Sequence, residues 1–454
     1  MREDLIHILP QIIVLATSML VLVFEILRRA SGSLWTLALG LTVAAGVAIS
    51  KLGTVTTAFS GTFRVDHLSL WAAIILAGAG ILCAILMRQE LRKTGREGTL
   101  YSLVGFSTLG SMILAGAGDM MFLILGVLIS GLTGFALTAY PKTDKATEGG
   151  IKYFVYGSVT GAVMLFMLTF WAGASGSTLL SAMSESGLEP LLILLGFAGV
   201  VAGLGYSASL FPFHFWTPDV FEGAPVSVAA FVSVTPKIGT FFALSQVMRS
   251  LPTEAGSYFL ILALLAALSM TYGNVVALWQ NNVLRLMAYS TIAQTGYFLL
   301  GVIAIKESAL AVPSLVVFGL AYAAMNIGAF AIIQQVGPKI VDFEGLARKK
   351  PFMAVAMVVF LLSLVGIPPL AGFAGKFLLF GAAIDVDYTW LAIIAILNSA
   401  ISLAVYLRII NPMFFKKQPV LTVKDSALIR WVYISSFVVT VSVGIFIKFL
   451  IFNS

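Results

Sequence analysis

The chain has 454 residues, of which 59% are hydrophobic and only 10% are charged, and its mean hydropathy is +1.02. A soluble domain cannot bury so large an apolar fraction, so the composition excludes a soluble enzyme and indicates an all-α protein that crosses a bilayer many times. The net charge of +7 then reports the orientation of the chain in the membrane rather than an acidic or nucleic-acid partner.

Fourteen apolar runs, most of them long enough to cross a bilayer, follow one another along the chain. The first run lacks a small-residue cleavage site, so we expect it to be retained as a span. The run at 353–384 is too long for one straight crossing, and Pro368 and Pro369 divide it. The connections are too short for a soluble domain or a nucleotide-binding fold. The predicted spans are 8–27, 33–50, 67–87, 100–117, 120–140, 150–172, 190–210, 226–248, 257–279, 283–304, 309–335, 353–384, 389–410 and 427–449.

The lysines and arginines orient these spans. Of the 27 such residues, nineteen fall in alternate connections on one side, five on the other side and three within predicted spans. Because these residues concentrate on the cytoplasmic side of membrane proteins, the richer side is predicted to be cytoplasmic. An even number of spans then places both termini outside the cell.

Residues 205–240 depart most clearly from the apolar pattern. Pro212, Pro218 and Pro225 stand between two apolar runs, and Lys237 lies near the middle of the second run. A lysine at that depth costs about 2.5–3.5 kcal/mol on membrane-insertion scales. Backbone broken by proline is tolerated within a bilayer only where protein or a water-filled cavity covers it. The combination predicts an intramembrane ion or proton path.

The same arrangement occurs a second time, where the broken run at 360–377 contains Lys376. Paired broken spans in the two halves of a chain are typical of transporters built from inverted repeats, with the functional site at the breaks. We therefore expect two inverted repeats, each with one proline-broken helix.

Lys237 and Lys376 are the strongest candidates for proton transfer, because a buried ammonium gives up its proton more readily than one in water. The structural alternative is a lysine that caps carbonyl oxygens of the broken helix. His214 follows the first break and titrates near neutral pH. That property suits a proton relay, and a neutral histidine bonded to a freed carbonyl is equally consistent with the sequence.

Further polar residues lie within predicted spans and could line the path together with water: Ser207, Tyr289, Gln294, Asn326 and Asn398. Each alone is explained as well by hydrogen bonding between helices. Cys83 is the only cysteine, and the three histidines are far apart in the chain. We therefore expect no disulfide, metal site or cofactor-binding site in this chain.

Five segments together resemble the antiporter-like, proton-translocating membrane subunits of respiratory complex I, and within that family the subunit N group of NADH-quinone oxidoreductases. The segments occur in the family's order and at its spacing, and they cover most of residues 100–410. They are EGGIKYFVYGS (148–158), PFHFWTPDVFEGAPVSVAAFVSVTPK (212–237), GNVVALWQNNVLRLMAYSTIAQTGYFLLG (273–301), FLLSLVGIPPLAGFAGKF (360–377) and NSAISLAVYLRII (398–410).

The resemblance implies two inverted half-channels coupled through a central polar axis. Lys237 matches the family's eighth-helix lysine, Lys376 its twelfth-helix lysine and His214 the histidine after the seventh-helix break. Two positions depart from the family pattern: Ser207 replaces a seventh-helix lysine, and Leu128 replaces a fifth-helix glutamate. Because this ion pair is missing, we expect the first half-channel to be weakened or silent and the second to conduct.

The resemblance also implies a role as a membrane subunit of a proton-translocating NADH-quinone oxidoreductase in a bacterial inner membrane. NADH, FMN, iron–sulfur clusters and quinone would belong to partner membrane and peripheral subunits, and this chain would hold no redox centre. Two alternatives stay open: a subunit of a multisubunit cation/proton antiporter or membrane-bound hydrogenase, and a structural subunit that does not conduct. The expected segments are 1–99 (the first three spans), 100–249 and 250–410 (the two halves) and 411–454 (the last span).

Overall fold

The computed structural model describes residues 2–27, 32–91, 96–184, 189–252, 256–416, 423 and 426–452. Helices account for most of these residues, and one antiparallel hairpin pairs β1 (Thr56–Ala58) with β2 (Phe63–Val65). Two short 3-10 helices cover Leu180–Ser184 and Ile340–Phe343. The α-helices are α1 (Arg2–His7), α2 (Leu9–Ile26), α3 (Ser33–Ser50), α4 (His67–Leu91), α5 (Glu97–Ala115), α6 (Met120–Thr138), α7 (Asp144–Ser175), α8 (Pro190–Ala208), α9 (Thr217–Gly223), α10 (Val226–Ser250), α11 (Gly256–Ala277), α12 (Val283–Ile303), α13 (Ala311–Val336), α14 (Leu346–Lys349), α15 (Pro351–Val365), α16 (Ala371–Asp385), α17 (Thr389–Phe415) and α18 (Ala427–Phe452).

The predicted set of membrane crossings is confirmed. Among the described residues, thirteen helices are long and apolar enough to cross a membrane. The helices α15 and α16, of 15 residues each, together form the remaining crossing, because the chain breaks between them where Pro368 and Pro369 were expected to divide it. The chief difference is α7, which has 32 residues and begins earlier than the predicted span, at a turn where the Thr143 side chain accepts a hydrogen bond from the backbone N–H of Ala146.

Three helices form the centre of the molecule. The most apolar segments of α10, α12 and α13 are 94%, 100% and 94% buried, whereas that of α7 is only 17% buried and faces outward. A helix that is apolar on all sides belongs in a protein interior. α10 packs against α4, α5 and α8 on one side and against α12 and α13 on the other. The two predicted halves therefore meet along α10, α12 and α13.

Contacts at the two ends of the bundle agree with the predicted grouping of loops by side. Arg249 forms an ion pair with Asp66 at 2.8 Å, and Arg64 donates to Ser250 at 2.6 Å; all four belong to the predicted external side. The direction of insertion stays a prediction, as do the segment boundaries, which fall close to the ends of α5, α10 and α17. Met1, Ser454 and six of the nineteen cations lie outside the described residues: Arg28, Arg29, Arg92, Lys93, Lys417 and Lys424.

Candidate functional sites at the two helix breaks

The first break begins where α8 ends at Ala208. Ser209 adopts the left-handed conformation with φ 66°, and the proline that follows three residues later cannot donate a helical hydrogen bond. Freed carbonyl oxygens at the end of α8 find local donors: the backbone N–H of Leu210 donates to Gly205 at 2.8 Å, and the indole Nε1–H of Trp216 donates to Tyr206 at 3.0 Å. The backbone N–H of Ser209 also donates to Tyr206 at 3.0 Å, so the break is closed by two backbone amides and an indole.

Lys237 lies in α10 opposite this break and is completely buried. Among the described residues no oxygen or nitrogen pairs with its Nζ. The ammonium instead lies 4.4 Å from the centroid of the Trp216 indole. The Tyr153 ring stacks on this indole, with the two centroids 4.0 Å apart and an interplanar angle of 10°. The aromatic face is thus the contact that the structure provides for this cation.

Lys376 lies in α16 at the second break and is only 2% exposed. Its Nζ donates to the carbonyl oxygens of Leu364 and Val365 at 2.9 and 3.0 Å and to Ser399 Oγ at 3.4 Å. The ammonium also lies 3.7 Å from the centroid of the Tyr297 ring. Because Leu364 and Val365 are the last residues of α15, Lys376 occupies the capping geometry that the sequence offered as its structural alternative.

Polar groups connect the central helices between the two breaks. The hydroxyl of Tyr322 in α13 donates to the carbonyl oxygen of Ser233 in α10 at 3.0 Å and to Thr291 Oγ1 in α12 at 3.3 Å. One turn further along α12, Gln294 Nε2 donates to the carbonyl oxygen of Leu364 at 3.1 Å, which is also an acceptor for the lysine of the second break. Helices from both halves are therefore joined by hydrogen bonds through α12 and α13.

Several buried polar atoms along these helices make no hydrogen bond within the described residues. They include both amide atoms of Asn326, the Oε1 atom of Gln294 and the hydroxyl of Thr235. Buried polar atoms are normally paired, by protein or by water, because an unpaired one costs about 1–3 kcal/mol. Atoms of this kind are the usual binding points for internal water.

Asn398 has a different environment from the other predicted path residues. Its Nδ2 donates to Thr271 Oγ1 at 3.1 Å and to the carbonyl oxygen of Ile394 at 3.0 Å, and its Oδ1 accepts from Asn274 at 3.2 Å. These bonds tie α17 to α11, so hydrogen bonding between helices accounts for this residue.

His214 lies within the first break and is 2% exposed. Its Nδ1 is buried without a hydrogen-bond partner in the described residues. Its ring centroid lies 4.7 Å from that of Tyr272, which in turn lies 6.3 Å from that of Tyr289. The predicted residues His214 and Tyr289 are therefore connected through an aromatic ring of α11 that the sequence did not single out.

The two positions predicted to lack the family's ion pair border one cavity. Leu128 of α6 and Ser207 of α8 line the same cavity, of about 50 Å³, which also borders α7. Ser207 Oγ accepts a hydrogen bond from Thr240 Oγ1 at 2.9 Å. Thr240 follows Lys237 by three residues on α10, a spacing that places both on one face of the helix. The cavity thus lies next to the helix face that carries the buried lysine.

An ion network lies at the predicted cytoplasmic end of the first break. Asp219 in α9 accepts from Lys152 of α7 at 2.8 Å and from Arg285 of α12 at 2.9 Å, and Arg285 also pairs with Glu222 at 3.0 Å. Partial burial raises the pKa of the Asp219 carboxyl, but the hydrogen bonds and charges of Lys152 and Arg285 lower it, and the net pKa lies below its usual value. The network anchors α9, and with it the break, to two spans.

Sequence reasoning missed three aromatic residues at the sites: Trp216, Tyr297 and Tyr322. Aromatic residues in apolar runs are normally interpreted as packing, and nothing in their spacing distinguishes them. Trp216 could have been found from its position two residues after His214 in the most unusual segment. Tyr322 lies one helical turn before Asn326, which places its hydroxyl on the same polar face.

Comparisons with known proteins add a family context. The family described as "NADH:quinone oxidoreductase/Mrp antiporter, TM" matches residues 117–402. The chain is 35% identical over 426 residues to the NADH-quinone oxidoreductase subunit N of Trichlorobacter lovleyi, covering 90% of this chain and 87% of that protein. It is 33% identical to the F(420)H(2) dehydrogenase subunit N of Methanosarcina mazei, covering 91% and 90%. A chain of respiratory complex I from Thermus thermophilus superposes with a TM-score of 0.87 at 29% identity, covering 97% and 98%.

Proposed function

The chain belongs to the NADH:quinone oxidoreductase/Mrp antiporter family of transmembrane subunits, and on that premise we propose that it moves protons as a membrane subunit of a complex I-type NADH-quinone oxidoreductase. It is a multi-pass integral membrane protein that works with other subunits of a respiratory assembly. Electron transfer takes place in those partners, which bind NADH, FMN, iron–sulfur clusters and quinone. The expected location is a bacterial inner membrane with both termini external.

The observation that carries the proposal is the buried ammonium of Lys237. A charge taken out of water without a hydrogen-bonding counter-group costs several kcal/mol, and ionisable groups within membranes are found mainly where protons or ions move. Within the part of the chain that the structure describes, Lys237 makes no hydrogen bond that would give it a structural purpose. We therefore assign it the role of a protonatable group, and its geometry favours a conducting first half over the silent one expected from Leu128 and Ser207.

In the second half, Lys376 couples protonation to the shape of the broken helix. The protonated amine donates to the last two carbonyl oxygens of α15, where the negative end of the helix dipole favours a cation. Loss of the proton weakens both bonds and releases the end of α15. A conformational change that pulls α15 away would conversely release the proton, with Ser399 as the nearest hydroxyl.

Between the lysines, we propose that protons pass along α12 and α13. Tyr322 joins α10 to α12, and Gln294 joins α12 to the end of α15, while the unpaired amide of Asn326 offers a binding point for water. His214 and Tyr289 extend this polar route toward the first break. Asn398 has a packing role, because its hydrogen bonds are fully used between α11 and α17.

A second function is supported by a specific feature. Leu128 and Ser207 offer no charge at the cavity where the family has an ion pair, which favours a structural subunit that holds the membrane arm together without conducting. The family also includes Mrp antiporters, so a multisubunit cation/proton antiporter is the alternative among conducting assemblies.

The test is purification of the intact assembly in mild detergent, followed by reconstitution into liposomes. We expect flavin- and iron–sulfur-containing subunits to co-purify, and quinone reduction by NADH to acidify the vesicle interior when the cytoplasmic side faces outward. Lys237→Gln is expected to reduce the number of protons moved per electron pair while oxidation of NADH by ferricyanide continues. Co-purification of antiporter subunits alone, or an unchanged proton yield in this variant, would contradict the proposal.

A further inference from the structure

We propose that Trp216 is a positioning residue for proton transfer, which closes the first helix break with its indole N–H and favours the protonated form of Lys237 with its aromatic face. The inference rests on the proposed function in so far as it concerns proton movement. The contact itself is a separate claim about the two side chains, and it can be tested without proton pumping.

The two breaks use different groups to satisfy the carbonyl oxygens that they expose. At the second break the ammonium of Lys376 donates hydrogen bonds to the carbonyl oxygens of Leu364 and Val365. At the first break the indole Nε1–H of Trp216 and the backbone N–H of Ser209 donate to the carbonyl oxygen of Tyr206, and Lys237 makes no hydrogen bond to any described residue. The indole therefore leaves the first lysine free of the helix end, whereas the second lysine is held by it.

The same indole presents its face to the freed cation. The Nζ atom of Lys237 lies 4.4 Å from the ring centroid, within the range of cation–π attraction, for which tryptophan is the strongest of the aromatic side chains. Because both groups are fully buried, bulk solvent does not screen this attraction. The quadrupole of the ring stabilises the charged lysine but cannot accept its proton. The ring therefore favours the protonated form of Lys237, and other groups must exchange the proton.

Neighbouring rings fix the indole in this position. Tyr153 stacks on it with centroids 4.0 Å apart, and the Tyr153 carbonyl oxygen accepts a hydrogen bond from the hydroxyl of Tyr206. Trp216 is thus held on one side by α7 and on its edge by α8. Its orientation toward α10 is set by contacts with these two helices and does not depend on the lysine.

Other ionisable groups near α10 do not supply the missing counter-charge. On the elements packed against α10, the charged groups lie at helix ends: His67, Arg88 and Glu90 on α4, Glu97 on α5, Asp219 and Glu222 on α9, and Arg285 on α12. Glu90 is engaged with the N-terminal amides of α10, and the α9 acids are paired with Arg285. The remaining titratable groups on these elements and in the break are Cys83, Tyr101, Tyr206, His214, Tyr289, Tyr297 and Tyr322; thiols and phenols are ordinarily neutral at pH 7, and histidine supplies no negative charge.

The experiment replaces Trp216 with tryptophans carrying one to four fluorine atoms, by site-specific incorporation in the intact assembly. Fluorine withdraws charge from the ring face but preserves the shape and the N–H donor. We expect the pH at which quinone-linked pumping is half lost on the alkaline side to fall in order of fluorine number, by on the order of one pH unit over the series. Trp171 is the matched control, because it is also fully buried and donates Nε1–H to a backbone carbonyl, that of Ile193, at 2.7 Å.

A second measurement separates the contact from proton pumping. The ¹⁹F resonance of 5-fluorotryptophan at position 216 should titrate with pH, and this titration should disappear in Lys237→Met. A pH-independent resonance, or one that still titrates in the methionine variant, overturns the contact. Equal shifts in pumping from fluorination at Trp171 and Trp216, or none at either site, overturn the positioning role. A titrating resonance combined with pumping that is insensitive to Lys237→Met would show that the proposed function fails while the contact stands.

Discussion

Replacing each buried lysine by methionine separates a protonatable group from a structural cap. Methionine has a similar length and fills the same space, but it carries no charge and donates no hydrogen bond. Lys237 and Lys376 are buried to a similar degree, so differences between the two variants arise from their contacts. The structure predicts effects of opposite sign on stability.

The magnitudes follow from the partners of each ammonium. Lys376→Met removes two hydrogen bonds from a charged donor to backbone carbonyls, each worth about 1.5–3 kcal/mol. The Leu364 carbonyl keeps its bond from Gln294, whereas the Val365 carbonyl loses the partner described for it. Part of this loss is offset because the charge no longer needs to be buried, so we expect a net destabilisation of about 2–4 kcal/mol.

Lys237→Met removes no hydrogen bond to any residue that the structure describes. The lost attraction to the Trp216 ring is worth up to about 2 kcal/mol, and the relief of burying an ion is worth several kcal/mol in the other direction. We therefore expect the variant to be as stable as the natural protein or more stable, although its pumping is reduced several-fold. This combination distinguishes a residue kept for function from one kept for folding.

The assay measures two properties of the assembled complex in parallel. Thermal unfolding in detergent is followed by the loss of the intact assembly after heating, and proton uptake by inverted membrane vesicles is measured per electron pair. Oxidation of NADH by ferricyanide provides the control for the soluble partners. A melting temperature that falls equally in both variants would refute the contacts described for Lys237, and unchanged pumping in Lys237→Met would refute its protonatable role.

Three further changes test other parts of the structure. Leu128→Glu combined with Ser207→Lys places opposite charges on one shared cavity; because the first half is proposed to conduct through Lys237 without them, the proton yield per electron pair should equal that of the natural protein, and a higher yield would show that the first half is silent without the pair. Tyr322→Phe removes the hydroxyl that joins α10 to α12 and should lower pumping with a stability loss of only about 1 kcal/mol, whereas full pumping would exclude the hydroxyl from the path. Val55→Cys, 72% exposed, and Trp279→Cys, 80% exposed, should react with an impermeant maleimide from the outside and the inside respectively, because the single native cysteine is buried; the reverse pattern would invert the predicted orientation.

The spans were predictable because apolar length is a property of consecutive residues. The break at residues 366–370 was expected from Pro368 and Pro369, and the structure places the end of α15 at Val365. The start of α7 was predicted too late, because its first residues, such as Asp144 and Lys145, are polar and continue a helix beyond the apolar run. Hydropathy reports the bilayer core and carries no signal for helical turns that extend past it.

The roles of the two lysines could not be predicted in the same way. Both follow a proline break and both stand in apolar runs, so the sequence presents them as equivalent. The two lysines differ in hydrogen bonding because a different donor reaches the end of each broken helix. The donor side chain lies about ten residues along the chain from the carbonyl oxygen that it reaches. Trp216 is ten residues from the carbonyl of Tyr206, and Lys376 is eleven from that of Val365. In both cases the helix is broken between the donor and the acceptor, so helical periodicity does not relate the two positions and no pattern in the sequence marks the pairing.

The different contacts of Lys237 and Lys376 suggest how this chain can work without the ion pair that the family is expected to have in its first half. A lysine next to a glutamate and a second lysine has its charge regulated by Coulomb interactions, which reach about 4 kcal/mol at 4 Å with an effective dielectric constant of 20. Leu128 and Ser207 supply none of this. An aromatic face supplies a smaller, fixed bias instead, so Lys237 would respond less to charges elsewhere in its own half and more to movements that bring water or a proton donor to it. We therefore expect the hydrogen bond from Tyr322 to the carbonyl oxygen of Ser233 to be the route by which the second half, with its helix end held by Lys376, controls the first.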